Sequence, residues 1–235
     1  MKEILRTHLS AYDLPEISAM AAHSRRVLSY LVALTYDPDP LIAWRSIEAF
    51  GIVAGAMADR DAEFVRGHLR RLLWLLSDES GGIGWRAPEL IGELLHHRPE
   101  QFAEFIPLLV ALLDLEAEDA ARFRAGTLWA ISRVASVETL HATSLLLAAA
   151  AEIESYLKDD DPQVRGLAAL CLIRLDRASV LAGAGGAQGA GALLEDPGVV
   201  TLYGAGQLAA VTVGQIVRAA GLPTSRSGEP RDSAR

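Results

Sequence analysis

An arginine that follows a bulky apolar residue recurs along this chain, at Arg45, Arg86, Arg124 and Arg165. Brought into a row, four guanidinium groups form an anion ladder suited to an acidic peptide or a phosphate. They can equally bond carboxylates of nearby turns such as Asp39, Asp78, Asp119 and Asp161, and so hold neighbouring units in register. Trp44 and Trp85 precede the first two arginines, and Glu48 and Glu89 follow three places after them. A Trp-Arg-x-x-Glu step repeated on adjacent elements makes an aromatic and charged platform, and Trp and Arg are frequent anchors of binding energy. The opposing reading puts both tryptophans in the core, because Phe123, Val164 and Leu202 hold the equivalent places. The binding candidates are therefore Trp44, Arg45, Glu48, Trp85, Arg86, Glu89, Arg124 and Arg165.

Other chemistries have less to stand on. Two Glu-x-x-His steps occur, Glu93 to His96 and Glu138 to His141, a spacing that di-iron helical bundles use twice with two further glutamates. Here the two steps fall on non-equivalent positions, so no metal is expected. Gly81-Gly82-Ile83-Gly84 can present backbone N–H groups to an anion, but lacks the Lys and Ser or Thr of a P-loop. Cys171 lies in an apolar run and reads as a small core side chain. No Gly-x-Ser-x-Gly step is present. No catalytic residue and no cofactor are expected.

The elements that must position these residues follow from a repeat. Segments aligned on the arginines begin at Trp44, Trp85, Phe123 and Val164, and a degenerate fifth copy places Tyr203 in the arginine slot. The spacings between these slots are 41, 38, 41 and 38 residues. A small residue follows each anchor, and another stands six places after it, at Gly51, Gly92, Ala130, Cys171 and Ala209. Small residues at fixed helical places let neighbouring helices approach closely. Acidic turns precede the anchors, as in Asp37-Pro38-Asp39-Pro40 and Asp159-Asp160-Asp161-Pro162. Asp before Pro is a good N-cap followed by a helix-compatible first residue. Each turn is preceded by a further stretch with apolar residues at helical spacing. The unit is helix, acidic turn, helix. First helices are expected near 22–36, 61–77, 99–115, 138–158 and 179–194, and second helices near 41–57, 84–97, 119–136, 162–177 and 198–220.

The run Asp161-Pro162-Gln163-Val164-Arg165-Gly166-Leu167-Ala168-Ala169-Leu170 resembles the second-helix signature of HEAT repeats of the phycobilisome-lyase type. The resemblance extends from about Asp37 to about Ala220. It implies an all-α superhelix, a solenoid of about five helical hairpins, with a binding surface on its concave face. The same repeat hosts scaffolds, lyases, hydroxylases and DNA glycosylases, so it is specific for fold and not for activity. Residues 1–21 are expected to form an N-terminal helical cap, 22–221 the repeat domain, and 222–235 a disordered tail.

The leading expectation for function is a protein-interaction scaffold or adaptor. The alternative is a HEAT-like enzyme acting on a nucleic acid or small ligand in the concavity, glycosylase-like or lyase-like. The net charge of −8 opposes nucleic-acid binding, which needs a basic surface. The N-terminal residues do not read as a signal peptide, and a cytoplasmic location is expected. The uncharged stretches 178–194 and 197–217 fall on the repeat frame, so no membrane partner is expected. Between Ala178 and Val217 only Glu195 and Asp196 are charged. That end is therefore expected to bury itself against a second copy or another protein, with Tyr203 and Leu208 on the association surface.

Overall fold

Short polar and Pro-bearing breaks divide the apolar, helix-period sequence into helices of one to five turns. The computed structural model describes residues 1–76, 86–114, 120–137, 139–183 and 189–220. Two short helices come first, α1 (Lys2–Ala11) and α2 (Leu14–His23), followed by α3 (Arg26–Leu34), α4 (Pro40–Ala58) and α5 (Ala62–Trp74). Next come α6 (Ala87–His97), α7 (Ile106–Val110), α8 (Ala120–Ala135), α9 (Leu140–Leu147) and α10 (Ala150–Ser155). Then follow α11 (Pro162–Arg174), α12 (Ala178–Gly183) and α13 (Gly189–Leu194). The chain continues as a two-stranded antiparallel hairpin, β1 (Val199–Gly204) and β2 (Gln207–Thr212), and then α14 (Val213–Ala219). The protein is mostly helical.

The helix starts have local causes. Asp39 and Asp161 each accept from the backbone N–H two residues on, at 2.9 and 2.8 Å, with Pro opening the helix behind them. Asp61 caps α5 through the Phe64 N–H. Thr212 and Gln215 form a reciprocal capping box on α14.

Helices α4, α6, α8 and α11 pack each on the next, and α14 packs on α11. Small residues mark these contacts. A Cβ on Gly51 would meet the Glu93 side chain of α6 at 2.5 Å, and one on Gly92 would meet Ala130 Cβ of α8 at 2.4 Å. Between α8 and α11, the Cys171 thiol donates to the Leu128 carbonyl at 3.1 Å. Phe50, Ile91 and Trp129, one place before the small residues, are buried.

The expected first helices are less regular. The one near 99–115 is broken into two 3-10 turns around α7, where Pro107 removes a backbone donor. The one near 138–158 is split into α9, α10 and a further 3-10 turn. α12 and α13 lie within 179–194 and its margin. The expected cap, residues 1–21, holds α1 and most of α2, while the tail 222–235 lies outside the described residues. Among the described residues one helix, Pro40–Ala58, is long and apolar enough to cross a membrane, and two thirds of it is buried inside the fold.

The second helix expected near 198–220 is corrected by the structure: residues 199–212 form the hairpin, and only α14 is helical. Val199, Val200, Thr201, Val211 and Thr212 are β-branched and favour the pleated conformation. Ala205 and Gly206 have φ of 47° and 72°, the paired positive φ of a tight hairpin turn. Val200 is fully buried and sits over Gly166 of α11, where a Cβ would come within 2.4 Å of it.

Candidate functional site

Trp44 and Glu48 lie one turn apart on α4 and so share a face. Their surroundings are drawn from both ends of the chain. Glu48 accepts a hydrogen bond from Tyr12 at 3.0 Å through Oε1, and a short one from Tyr203 of β1 through Oε2. Burial, and then the Glu48 carboxylate, push the Tyr203 phenol far above its usual range. The Tyr203 ring stacks on Trp44 with centroids 5.5 Å apart and planes 13° apart. Trp44 also meets Trp129 of α8, centroids 4.8 Å apart, and the Arg86 guanidinium lies 5.0 Å from its ring centroid.

Arg45 is buried, and its acceptors are main-chain carbonyls. Nε donates to Gly206 at 2.9 Å, and Nη1 to Leu9 and Ser10 at 2.8 and 2.7 Å. One side chain thus joins α4, the end of α1 and the tip of the hairpin. Gly206 rests on the Tyr12 ring, where a Cβ would lie 2.4 Å from ring carbons, so the tip requires glycine twice, for its φ and for this approach.

At the N-cap of α6, Arg86 donates to Glu89 Oε1 at 2.8 Å. The Glu89 carboxylate is 3% exposed, and its Oε2 has no hydrogen-bond partner. Burial raises the Glu89 carboxyl above its ordinary range, with Arg86 opposing the rise. It rests against Gly126 of α8, where a Cβ would fall 2.8 Å from Oε2. Trp44, Arg86, Glu89, Ala125, Gly126, Trp129, Gln163, Leu167 and Thr201 line a half-open recess of about 210 Å³. Across its rim the Gln163 amide and the Thr201 backbone satisfy each other at 2.9 and 2.8 Å.

A second polar cluster ties the same helices together. Arg133 of α8 makes a bidentate pair with Glu93 at 2.8 and 3.0 Å, and His97 Nε2 stands 3.5 Å from Glu93. Glu93 of the first Glu-x-x-His step is therefore held by Arg133. Glu138 of the other step lies outside the described residues. Among the described residues no three His, Cys, Asp or Glu side chains gather in a way that holds a metal ion.

The arginine row divides in two. Arg124 donates to Asp159 at 2.9 Å, and Arg165 grips Asp196 at 2.8 and 3.1 Å. Arg6, which the repeat frame did not single out, pairs with Asp37 in the same fork at 2.8 and 3.2 Å. Each carboxylate belongs to the turn of the following unit, which corrects the expectation of Asp39 and Asp161 as partners. Asp39 and Asp161 instead cap α4 and α11. Asp37, Asp159 and Asp196 each accept the N–H two residues on through Oδ1, at 3.0, 2.9 and 2.8 Å, and present Oδ2 to the arginine, with Oδ1 of Asp37 and Asp196 shared between the two. The Arg6 and Arg165 guanidinium groups hold the carboxyls of Asp37 and Asp196 below the usual range. Arg45 and Arg86 take no turn carboxylate in the described residues, and Asp78 and Asp119 lie outside them.

Of the candidates, then, Trp44, Arg86 and Glu89 converge on the recess. Arg45 and Glu48 hold the hairpin beside it, and Arg124 and Arg165 join successive units. Trp85 and the stretch Gly81 to Gly84 lie outside the described residues. Tyr203 stacks its ring on Trp44 and donates its hydroxyl to Glu48. Leu208 is half-buried and pairs with Tyr203 across the hairpin. Trp129, Gly126 and Gln163 were not identified from sequence. Trp129 occupies a slot that reads as core, and Gly126 has no counterpart in the other copies.

No family model matches this chain. It is 36% identical over 86 residues to an uncharacterized protein of Archaeoglobus fulgidus, a match covering 37% of this chain and 44% of that protein. The chain thus spans less than half the length of that relative.

Proposed function

We propose that the chain is a HEAT-type solenoid of helical hairpins that works as a binding module for another protein. Its recognition surface is the face on which Trp44, Arg86 and Glu89 meet. The observation that carries this reading is the half-open recess. Indole and guanidinium groups, the side chains most often found at the energetic centre of interfaces, are held there by packing from four helices and a strand. A preformed surface of that kind loses little side-chain entropy on association. The one-to-next packing of α4, α6, α8 and α11 and the recurring arginine–turn pairs support the solenoid architecture.

The test is comparative affinity capture from the native cell with wild-type protein and with Arg86→Ser and Gln163→Ala, after checking that all three melt alike. A partner retained by wild type and lost from both variants supports this face. A partner held equally by all three places recognition elsewhere. The enclosure of Glu89 also favours a second reading, a small-ligand site in the same recess, which rests on different chemistry from a broad protein contact.

A further inference from the structure

We propose that the outer edge of β2 pairs with β2 of a second copy of the chain, joining the two hairpins into one continuous antiparallel sheet about a two-fold axis at Ala209. The direction of each backbone group in the hairpin follows from its hydrogen bonds. The Thr201 N–H and C=O are both taken by the Gln163 side chain of α11, at 2.8 and 2.9 Å, so they point away from β2. The Val213 N–H reaches the Gly198 carbonyl across the hairpin at 2.9 Å. Bonding groups alternate along an antiparallel pair, so Val200 with Val211, Leu202 with Ala209 and Gly204 with Gln207 exchange the bonds inside the hairpin. The pairs between them, Thr201 with Ala210 and Tyr203 with Leu208, turn their groups outward. On β1 Gln163 closes that edge at Thr201. On β2 the N–H and C=O of Leu208 and Ala210 have no hydrogen-bond partner among the described residues.

Exposed edges are normally guarded by charge, proline, a bulge or a covering loop. The strand Gln207–Thr212 holds no charged residue and no proline, and its register with β1 runs without a bulge. Ala209 and Ala210 are exposed, and Leu208 is half-buried without joining the apolar core. The edge is also self-complementary. With the axis at Ala209, Leu208 of one copy stands opposite Ala210 of the other. Both residues face outward, so they exchange their bonds as a pair, and the axis generates that pair again. Ala209 meets its own copy at the closer, non-bonded position, where its methyl group fits. Charge selects a second copy as the occupant. A net charge of −8 makes two chains repel each other. Between Ala178 and Val217, however, the only charged residues are Glu195 and Asp196, which face Arg218 at 3.7 Å and Arg165 at 2.8 Å. Two copies therefore meet at this end without like charges opposed, while a charged peptide finds nothing on the edge to pair with.

Sedimentation equilibrium on the full chain tests the proposal, with the average mass expected to rise from one chain towards two over about 1–300 µM. Amide exchange resolved by residue is the second readout. In dilute protein Leu208 and Ala210 should exchange fast while Leu202, Ala209 and Val211 are protected. At the highest concentration the protection of Leu208 and Ala210 should rise about fivefold or more. Ala210→Pro deletes an outward N–H and leaves the bonds to β1 in place, and Ala209→Asp sets like charges together at the axis. Each should weaken dimerisation about tenfold or more, with protection at Leu202 and Val211 showing that the hairpin still forms. A mass of one chain throughout overturns the proposal on wild-type protein alone, as does a dimer in which the Leu208 and Ala210 amides stay fast. A dimer unchanged by both variants lies elsewhere on the chain and overturns it equally. A monomer whose two amides are protected only on adding cell extract gives the edge to a different protein and overturns the second copy as its occupant. The mass measurement needs no outside partner, so it and the capture experiment fail separately.

Discussion

Replacing Arg45 by methionine removes one side chain that ties α1, α4 and the hairpin together. Methionine keeps most of the aliphatic stem in place and deletes every donor. The three bonds lost are those to Gly206, Leu9 and Ser10, at 2.9, 2.8 and 2.7 Å from a side chain that is 6% exposed. A hydrogen bond from a charged donor contributes about 1.5–3 kcal/mol, so the gross loss is roughly 4–9 kcal/mol. Part of it is offset, because the acceptors carry no full charge and removing the guanidinium recovers several kcal/mol of its desolvation. The net expectation is about 2–4 kcal/mol. For a chain of this length that lowers Tm by on the order of 10 °C. Scanning calorimetry measures it, and amide hydrogen exchange localises it: protection should fall first in residues 199–212 and in α1. A variant melting within about 1 °C of wild type, with hairpin amides still protected, would refute the argument.

The Arg165–Asp196 fork is largely buried, with side-chain exposures of 19% and 12%. A double-mutant cycle with alanine at both positions should give a coupling of about 1–3 kcal/mol, and additive effects would remove the fork from the forces joining α11 to the next turn. Because the Asp37 and Asp196 carboxyls are depressed in the folded state, their contribution is present above the unfolded value near 3.9 and lost as pH falls through the folded values. Tm should therefore drop on acidification below about pH 4, and Asp196→Asn should flatten that limb. Gly92→Ala forces α6 and α8 apart against Ala130 Cβ and Cα and should cost about 1–3 kcal/mol in urea unfolding; a neutral result would mean the helices separate freely. Burial pushes the Cys171 thiol up to about 12, so a thiol-specific chromogenic reagent at pH 8 should label it only after denaturant is added, and labelling of native protein contradicts that burial.

The helical repeat was legible because it rests on local signals that tertiary context seldom overrides: Asp-Pro caps at Asp39 and Asp161, apolar residues at helical spacing, and small residues at fixed places. The row α4, α6, α8 and α11 follows that frame within a few residues. The hairpin was not legible from the frame. Aligning Leu202 and Tyr203 with earlier anchors gave weight to one shared pattern and overlooked the β-branched residues around them and the Ala205-Gly206 turn. The arginine partners were misassigned for a related reason. Composition showed acidic turns beside arginines but not which carboxylate of a turn would cap its helix and which would meet an arginine. The recess depends on contacts among residues far apart in the chain, such as Trp44 with Trp129 and Tyr203, and no spacing rule encodes them.

An array whose units touch only their neighbours has no natural length, since a unit can be added or deleted and the ends simply move. In this chain the contact of Gly206 with Arg45 and Tyr12 ties the hairpin back to α4 and α1. The hairpin has a fixed reach, so inserting one more pair of helices between α6 and α11 would carry its tip away from α4 and strand both Arg45 and Glu48. α1 and the hairpin are coupled through Arg45, so loosening either removes acceptors that hold that side chain. Folding inherits a matching cost: a contact spanning 161 residues carries the entropy of closing a long loop, so closure is expected late in the assembly of the chain.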